Sequence, residues 1–195
     1  MSGFFVFDCE TTGLPVRRNI SYRDVEGWPR LVQLAWAVYD PWGKTLRSQS
    51  RIVRPDGFFI PEESSRIHGI SHERALAEGE PAGRVLASFA GDLDAPFDAV
   101  IAHNLDYDLG VTGAELLRAG LASRLFERPG LCTMKTTTEL VRLPGPYGFK
   151  WPKLDELHAF LFGASYEGAH DAARDVEACA RCFFELLRRG HYPRS

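Results

Sequence analysis

The order of the apolar segments is the feature that most limits the fold of this chain. Residues 3–9, 31–40 and 45–53 have the composition of three β-strands. Asp40-Pro41-Trp42-Gly43 supplies a turn between the last two, which therefore should form an antiparallel hairpin. Three leading strands followed by alternating helical and strand patterns predict an α/β fold, with a mixed sheet covered by helices on both faces.

The rest of the chain supplies two more strands and the helices. Further strands are predicted at 98–103 and 131–133. Pro61 should begin a short helix that Gly69 closes, and Ser71 should cap a second one. Longer helices are predicted at 81–93, 105–119, 134–141, 153–162 and 171–189. The polar segment 15–30 predicts an exposed excursion near the site, with no chemistry assigned to it. No linker divides the chain, so residues 1–195 are expected to form a single domain.

The charge and composition of the chain argue against several classes of protein. The net charge of −3 argues against a general nucleic-acid-coating protein, but not against a nuclease that needs its substrate only at one end. Two basic sets remain, Arg47/Arg51/Arg54 and Lys150/Lys153 around Trp151, either as ordinary solvated surface or as substrate contacts. The chain lacks a membrane-length apolar run and a basic signal region, which predicts a soluble, cytoplasmic protein.

Cys179 and Cys182 have a spacing that occurs in zinc sites. Both lie on the apolar stripe of the last predicted helix, however, and neither of the other two cysteines forms a matching pair. Core packing is therefore expected at these positions rather than metal binding.

Three separated motifs carry acidic side chains, and each adjoins a predicted element. They are Asp8-Cys9-Glu10, His103-Asn104-x-x-Tyr107-Asp108 and His170-x4-Asp175. Asp8 and Glu10 are two residues apart on a strand, so both point to one face. Buried neighbouring carboxylates repel each other unless a cation compensates them. Oxygen ligands of this kind favour Mg²⁺ or Mn²⁺ over zinc.

Helix geometry limits how the second and third motifs can contribute. Asp106 and Asp108 lie about 200° apart on a helix, so only one of them can face a metal site. His170 and Asp175 lie about 140° apart, so they cannot share a helical face. The consistent arrangement places His170 on a loop, Asp171 at the N-cap and Asp175 one turn inside the helix. A neutral imidazole is available there as a base near pH 7 to 8.

In the order and spacing of these motifs the chain resembles the DEDDh 3′–5′ exonucleases, over about residues 3 to 189. The motifs of that family read roughly F-D-x-E-T-T-G, H-N-x-x-F-D and H-x4-D. Ile67-His68-Gly69-Ile70 and Leu154-Asp155-Glu156-Leu157 also match family landmarks. The resemblance implies a ribonuclease H-like fold with a five-stranded sheet. It also implies hydrolysis of the terminal phosphodiester of DNA or RNA, with two divalent cations, Mg²⁺ or Mn²⁺, and release of nucleoside 5′-monophosphates.

The resemblance implies a role for each matching residue. Asp8, Glu10, Asp108 and Asp175 would hold the cations, and His170 would be the general base. The family register selects Asp108 over Asp106. Contacts with the terminal nucleotide would come from Thr11, Thr12, Leu14, Glu63, His68, Asn104 and Tyr107. For two of these the residues leave alternatives open: Asn104 would contact substrate or cap its helix, and Tyr107, where the family usually has Phe, would stack on a base or pack in the core.

The alternative from a different functional class is a protein that binds without catalysis. A non-catalytic nucleic-acid-binding or polymerase-associated module of the same fold should have lost part of its ligand set, and none is missing here. The chain ends soon after its last helix, which favours a free-standing enzyme. The expected partner is a nucleic-acid 3′ end, single-stranded by preference. The choice of DNA or RNA, and a polymerase or homodimer partner, stay open.

Overall fold

A computed structural model describes residues 2–192 of the protein. Its central sheet consists of β1 (Phe4–Thr11), β2 (Leu31–Tyr39), β3 (Thr45–Ile52), β4 (Ala99–Ala102) and β5 (Gly130–Cys132), in the order β3-β2-β1-β4-β5. The pairs β1–β2 and β2–β3 are antiparallel, whereas β1–β4 and β4–β5 are parallel. The predicted mixed five-stranded sheet with three leading antiparallel strands is confirmed.

Eight α-helices lie within the described residues. They are α1 (Glu62–His68), α2 (His72–Glu78), α3 (Ala82–Asp92), α4 (Leu105–Arg118), α5 (Thr133–Thr136), α6 (Thr138–Val141), α7 (Leu154–Phe162) and α8 (Ala172–Arg188). The caps predicted for α1 and α2 are present. Gly69 ends α1 in the left-handed conformation, and the Ser71 side chain accepts a hydrogen bond from the Arg74 amide. None of these helices in the described part of the chain is long and apolar enough to cross a membrane.

Alternation along β1 divides the core into two layers. Phe5 and Phe7 pack on one face with side chains from α3 and α4, whereas Phe4 and Val6 pack on the other with side chains from α7 and α8. Cys179 and Cys182 belong to the second layer, as core packing predicted. The same alternation assigns Asp8 and Glu10 to the α8 side of the sheet.

Three local features differ from the sequence-based expectations. The helix predicted at 134–141 is divided at Thr137 into α5 and α6. The hydroxyls of Thr136, Thr137 and Thr138 each donate to the carbonyl four residues earlier, a bond that bends helices. A small hairpin, β6 (Pro144–Gly145) and β7 (Gly148–Phe149), was not predicted because strands of two residues carry no periodic pattern. Strand β1 extends to Thr11, two residues beyond its predicted end.

The excursion at 15–30 is exposed at its tip but anchored at its base. Trp28 is buried against α4, where a Cβ at Gly110 would come within 2.0 Å of the indole ring. The Trp28 indole N–H donates to the Ser21 carbonyl at 3.0 Å. Arg30 forms an ion pair with the buried carboxylate of Glu115 at 2.7 Å. These contacts hold the segment beside α4.

Candidate active site

The three acidic motifs meet in one cavity of about 450 Å³ at the carboxyl ends of β1 and β4. Four carboxylates line it, Asp8, Glu10, Asp108 and Asp175, together with the imidazoles of His68, His103 and His170. The polar atoms of Glu10, His170 and Asp175 lie within 4.8 Å of one another, close enough to share one ion. Residues separated by more than 160 positions are therefore brought together as the motif spacing predicted.

The strand and the first turns of two helices position the four carboxylates. Asp8 and Glu10 sit opposite Ala35 and Gln33 of β2, so the ladder fixes their spacing. Asp108 lies in the first turn of α4 and is 3% exposed. Asp175 lies in the first turn of α8, whose N-cap Asp171 accepts a hydrogen bond from the Ala173 amide, as predicted. Helix N-termini stabilise negative charge, which helps to keep both helical carboxylates ionised.

Cys9 is a site residue that the sequence did not reveal. Its amide and its thiol both lie 3.2 Å from Oδ1 of Asp108, to which both donate. Because Cys9 points to the opposite face of β1 from Asp8 and Glu10, its thiol reaches Asp108 on α4. Two donors on one oxygen fix the orientation of the Asp108 carboxylate. The only signal in the sequence was the position of Cys9 between the two acids.

Tyr166 positions the carboxylate of Asp175 and is a second site residue that the sequence did not reveal. Its hydroxyl donates to Oδ1 of Asp175 at 2.7 Å, and the His170 amide lies 3.4 Å from Oδ2. Tyr166 lies in an irregular segment outside the motifs, so no pattern marked it.

His170 lies on the loop before α8, as predicted, and is exposed. Its φ of 68° places it in the left-handed region, which costs a residue with a Cβ about 1 kcal/mol. This strained conformation holds the imidazole beside Glu10 and Asp175.

Asp106 does not enter the cavity. Its exposed carboxylate pairs with Lys135 on the outer side of α4. This agrees with the choice of Asp108 from the two candidates.

Burial and mutual repulsion raise the pKa of every carboxyl in the set. Desolvation, with repulsion from Asp108 and Asp175, raises the pKa of Asp8 well above its usual range. Desolvation and repulsion from Asp175 raise the pKa of Glu10 to about 8. Desolvation raises the pKa of Asp108 to about 7, against the lowering effect of the Cys9 hydrogen bonds, and it also raises the pKa of Asp175. A cluster of this kind fits divalent cations, whose charge would offset the repulsion.

The residues predicted to contact substrate divide into two groups. Thr11, Leu14, His68, Asn104 and Tyr107 line the cavity, together with Ser64 and Ile67, which were not predicted. Thr12 and Glu63 are not among the lining residues. The Thr12 hydroxyl accepts a hydrogen bond from the Arg30 amide at 2.9 Å, and Glu63 is exposed on α1. Substrate contacts at these two positions stay predictions.

The structure bears on both residues for which the sequence left alternatives. Asn104 occupies the N-cap position of α4 with φ of 78°, but its side chain makes no capping hydrogen bond. The capping role is therefore wrong, because left-handed backbone geometry replaces the extended conformation that a capping side chain requires. The Tyr107 ring packs near Trp28, with centroids 6.2 Å apart. Its hydroxyl lies 2.6 Å from both the Gly13 carbonyl and Oγ1 of Thr11, and so ties down the turn after β1.

The repulsion within the carboxylate set predicts how stability depends on pH. A carboxyl whose pKa is raised by folding stabilises the protein below the unfolded pKa, and that stabilisation is lost as pH rises through the folded pKa. For Glu10 this stabilisation is lost between pH 4.5, the pKa in the unfolded chain, and about pH 8, the pKa in the folded protein. The effect of Glu10→Gln is the free energy of unfolding of the variant minus that of the wild type. In the presence of a chelator, we expect this difference to be about 3 kcal/mol larger at pH 8 than at pH 5.

Urea unfolding at the two pH values measures this difference. Glu26→Gln, at an exposed position on the excursion, is the control and should show no such pH dependence. An equal effect of Glu10→Gln at both pH values would show that Glu10 does not ionise within a repulsive cluster.

Comparison with known proteins agrees with the motifs. The family model RNase_T, described as Exonuclease, matches residues 5–183. The 3′–5′ exonuclease DinG of Bacillus subtilis (strain 168) is 30% identical over 186 residues, which are 95% of this chain and 18% of that protein.

Solved structures share the fold. Exonuclease I of E. coli in complex with a dA16 oligonucleotide superposes with a TM-score of 0.77 at 20% identity, over 97% of this chain and 41% of that one. Exonuclease I from Methylocaldum szegediense gives 0.74 at 20% identity, over 97% of this chain and 41% of that one. The chain thus spans less than half the length of these relatives. The ribonuclease H-like fold that the resemblance implied is confirmed, and the chain belongs to the exonuclease family with DEDD-type motifs.

Proposed function

We propose that the protein is a metal-dependent 3′–5′ exonuclease that removes nucleoside 5′-monophosphates from the ends of single-stranded nucleic acid. The convergence of four carboxylates and His170 on one cavity carries this proposal, in a chain that belongs to the exonuclease family. The relatives support the direction of hydrolysis, since DinG of Bacillus subtilis is named a 3′–5′ exonuclease. The complexes of E. coli Exonuclease I with dA16 and dT13 oligonucleotides favour a single-stranded substrate.

The acidic set fits two divalent cations, Mg²⁺ or Mn²⁺. Asp8, Glu10, Asp108 and Asp175 would hold them, with Cys9 and Tyr166 fixing the orientation of the last two carboxylates. Burial and mutual repulsion raise the pKa of these carboxyls, and a bound cation would offset both effects by favouring the ionised form. When bound, such cations stabilise the charge on the phosphate and on the leaving oxygen, and ease deprotonation of water.

His170 would act as the general base. Water attacks the terminal phosphorus, its proton passes to the imidazole, and the bond from phosphorus to the 3′ oxygen of the preceding nucleotide breaks. The leaving 3′ oxygen takes a proton from solvent. His170 later releases to solvent the proton that it accepted from the attacking water. The left-handed loop places the imidazole beside Glu10 and Asp175, where the attacked phosphate would lie.

The other half of the cavity would bind the terminal nucleotide. Thr11 and Leu14 follow β1, and His68 faces them from the end of α1. Desolvation lowers the pKa of His68, so its imidazole is neutral near pH 7. Because Nδ1 accepts a hydrogen bond from the Ile70 amide, Nε2 carries the proton and can donate to the substrate. Asn104 offers its amide to the substrate since it does not cap α4.

An assay with labelled oligonucleotides tests the function and the requirement for metal. With Mg²⁺, a strand labelled on its 3′-terminal nucleotide should release the label as a nucleoside 5′-monophosphate in the first turnover, whereas a 5′ label should shorten stepwise. A chelator should abolish both reactions, because the carboxylate cluster then lacks its cations, and Mg²⁺ in excess should restore them.

A side-by-side assay of single-stranded DNA, duplex DNA and RNA would identify the preferred substrate. The comparison of DNA with RNA reports on recognition of the 2′-hydroxyl, which distinguishes the two. Release of 3′-phosphorylated products, internal cleavage or activity unaffected by chelator would contradict the proposal.

A further inference from the structure

A second concavity, here called the extension groove, opens directly from the catalytic cavity. It measures about 990 Å³ and shares Leu14, Asn104 and Tyr107 with the catalytic cavity. The excursion at 15–22 forms one part of its lining, and Lys135 and Trp151 form another. A chain entering the catalytic cavity by its end would therefore continue into this groove.

The excursion that lines the extension groove is a fixed part of the fold. The Val16 amide donates to the Gly27 carbonyl at 3.0 Å, and Trp28 holds Ser21 through its indole N–H. The Arg118 guanidinium donates to the Trp28 carbonyl at 2.9 Å. This lining is thus organised before any ligand arrives, which lowers the entropic cost of binding.

The charges of the extension groove are opposite in sign to those of the catalytic cavity. Arg17, Arg18 and Lys135 line it with one acid, Asp106, although the whole chain has a net charge of −3. Arg17 pairs with exposed Asp24, and Lys135 pairs with Asp106. Exposed pairs of this kind contribute little, so a phosphate can replace the carboxylate partner at small cost. Arg18 makes no ion pair with any residue in the described part of the chain.

Aromatic rings are presented to the same groove. Trp151 is 60% exposed and Phe126 is 43% exposed, and Tyr22 stacks on Phe126 with ring centroids 4.0 Å apart. All three line the extension groove. Basic side chains interleaved with exposed aromatic faces are typical of surfaces that bind unpaired strands, because bases stack on the rings while phosphates meet the cations.

We propose that the extension groove binds the unpaired nucleic-acid strand on the 5′ side of the reacting end, with Trp151 stacking on a base. The 5′ direction rests on the proposed function, because a 3′ end in the catalytic cavity leaves the 5′ part of the strand to follow the groove. The proposal assigns a role to residues 15–22 and to Trp151. It also predicts that affinity increases with strand length until the groove is filled. Duplex should bind more weakly than a single strand, because bases stacked within a duplex do not present free faces to the protein.

Trp151→Ala tests the groove with two substrates and two readouts. For a single strand of about ten nucleotides, kcat/KM should fall about tenfold, as expected for loss of one stacked base. For a dinucleotide, which leaves only one nucleotide on the 5′ side of the scissile bond, the loss of kcat/KM should be much smaller. Anisotropy of a fluorescent strand of about ten nucleotides, measured in chelator so that no cleavage occurs, should show about tenfold weaker binding.

Trp42→Ala is the matched control, because Trp42 is 84% exposed on the β2–β3 turn and does not line the extension groove. It should change neither value. A second variant, Arg18→Ala, should lower the salt dependence of strand binding, and the control Arg84→Ala, at an exposed position on α3, should not.

Each outcome decides the proposal. Equal binding by Trp151→Ala and Trp42→Ala would overturn it, and so would an equal loss of kcat/KM on both substrates. If the wild-type protein cleaves neither substrate, the proposed function fails while the anisotropy series still tests the groove.

Discussion

Replacing Asp108 with asparagine is expected to lower exonuclease activity by about a thousandfold while the fold stays intact. The lost carboxylate is one of four that would hold the cations, whose contribution amounts to several kcal/mol of transition-state stabilisation. At 1.36 kcal/mol per decade, this corresponds to the stated loss of rate. The asparagine side chain would keep an oxygen to accept the Cys9 hydrogen bonds, which lie at 3.2 Å in the wild type.

Asp106→Asn is the matched control, since Asp106 lies two residues away on the outer face of α4. Its activity on a dinucleotide should stay within about threefold of the wild type, because surface pairs contribute little. Thermal unfolding in chelator should show Asp108→Asn to be at least as stable as the wild type, because a buried carboxyl with a raised pKa has been made neutral. Full activity of Asp108→Asn, or equal losses in both variants, would refute the assignment of Asp108 as a metal ligand.

Replacing His170 with asparagine is expected to lower kcat by about 10²- to 10⁴-fold, the usual contribution of a general base. Asparagine tolerates the left-handed conformation observed at this position, where φ is 68°, so the loop should keep its shape. Single-turnover measurements on a labelled strand isolate the chemical step from product release.

The same variant distinguishes a base from a metal ligand. The imidazole lies within 4.8 Å of the carboxylates of Glu10 and Asp175, so either role fits the distances. A general base predicts that Mg²⁺ stabilises His170→Asn as much as it stabilises the wild type, because binding to the folded state alone raises the unfolding temperature. Loss of that stabilisation would assign His170 to the ligand set instead. His72→Asn, at a histidine outside the cavity, is the control and should change neither property.

The sequence determined much of the fold because its patterns are local. The apolar run of β1, the turn at Asp40–Gly43 and the caps at Gly69 and Ser71 depend on neighbours within a few residues, and all are present. The arrangement of the candidate carboxylates was predictable in part for a similar reason, and the family resemblance selected Asp108 from the two acids at the start of α4. A two-residue spacing on a strand fixes one face, and the 200° between Asp106 and Asp108 on a helix leaves only one of them for the site.

What only the tertiary structure decided concerns contacts across the chain. The hydrogen bonds from Cys9 to Asp108 and from Tyr166 to Asp175 depend on how strand, helix and loop pack together. The extension groove arises because the buried Trp28 holds the excursion at 15–22 beside α4 while Trp151 comes from far along the sequence. Periodicity and motif spacing report the conformation of one segment at a time, whereas a binding surface is set by the distances between segments.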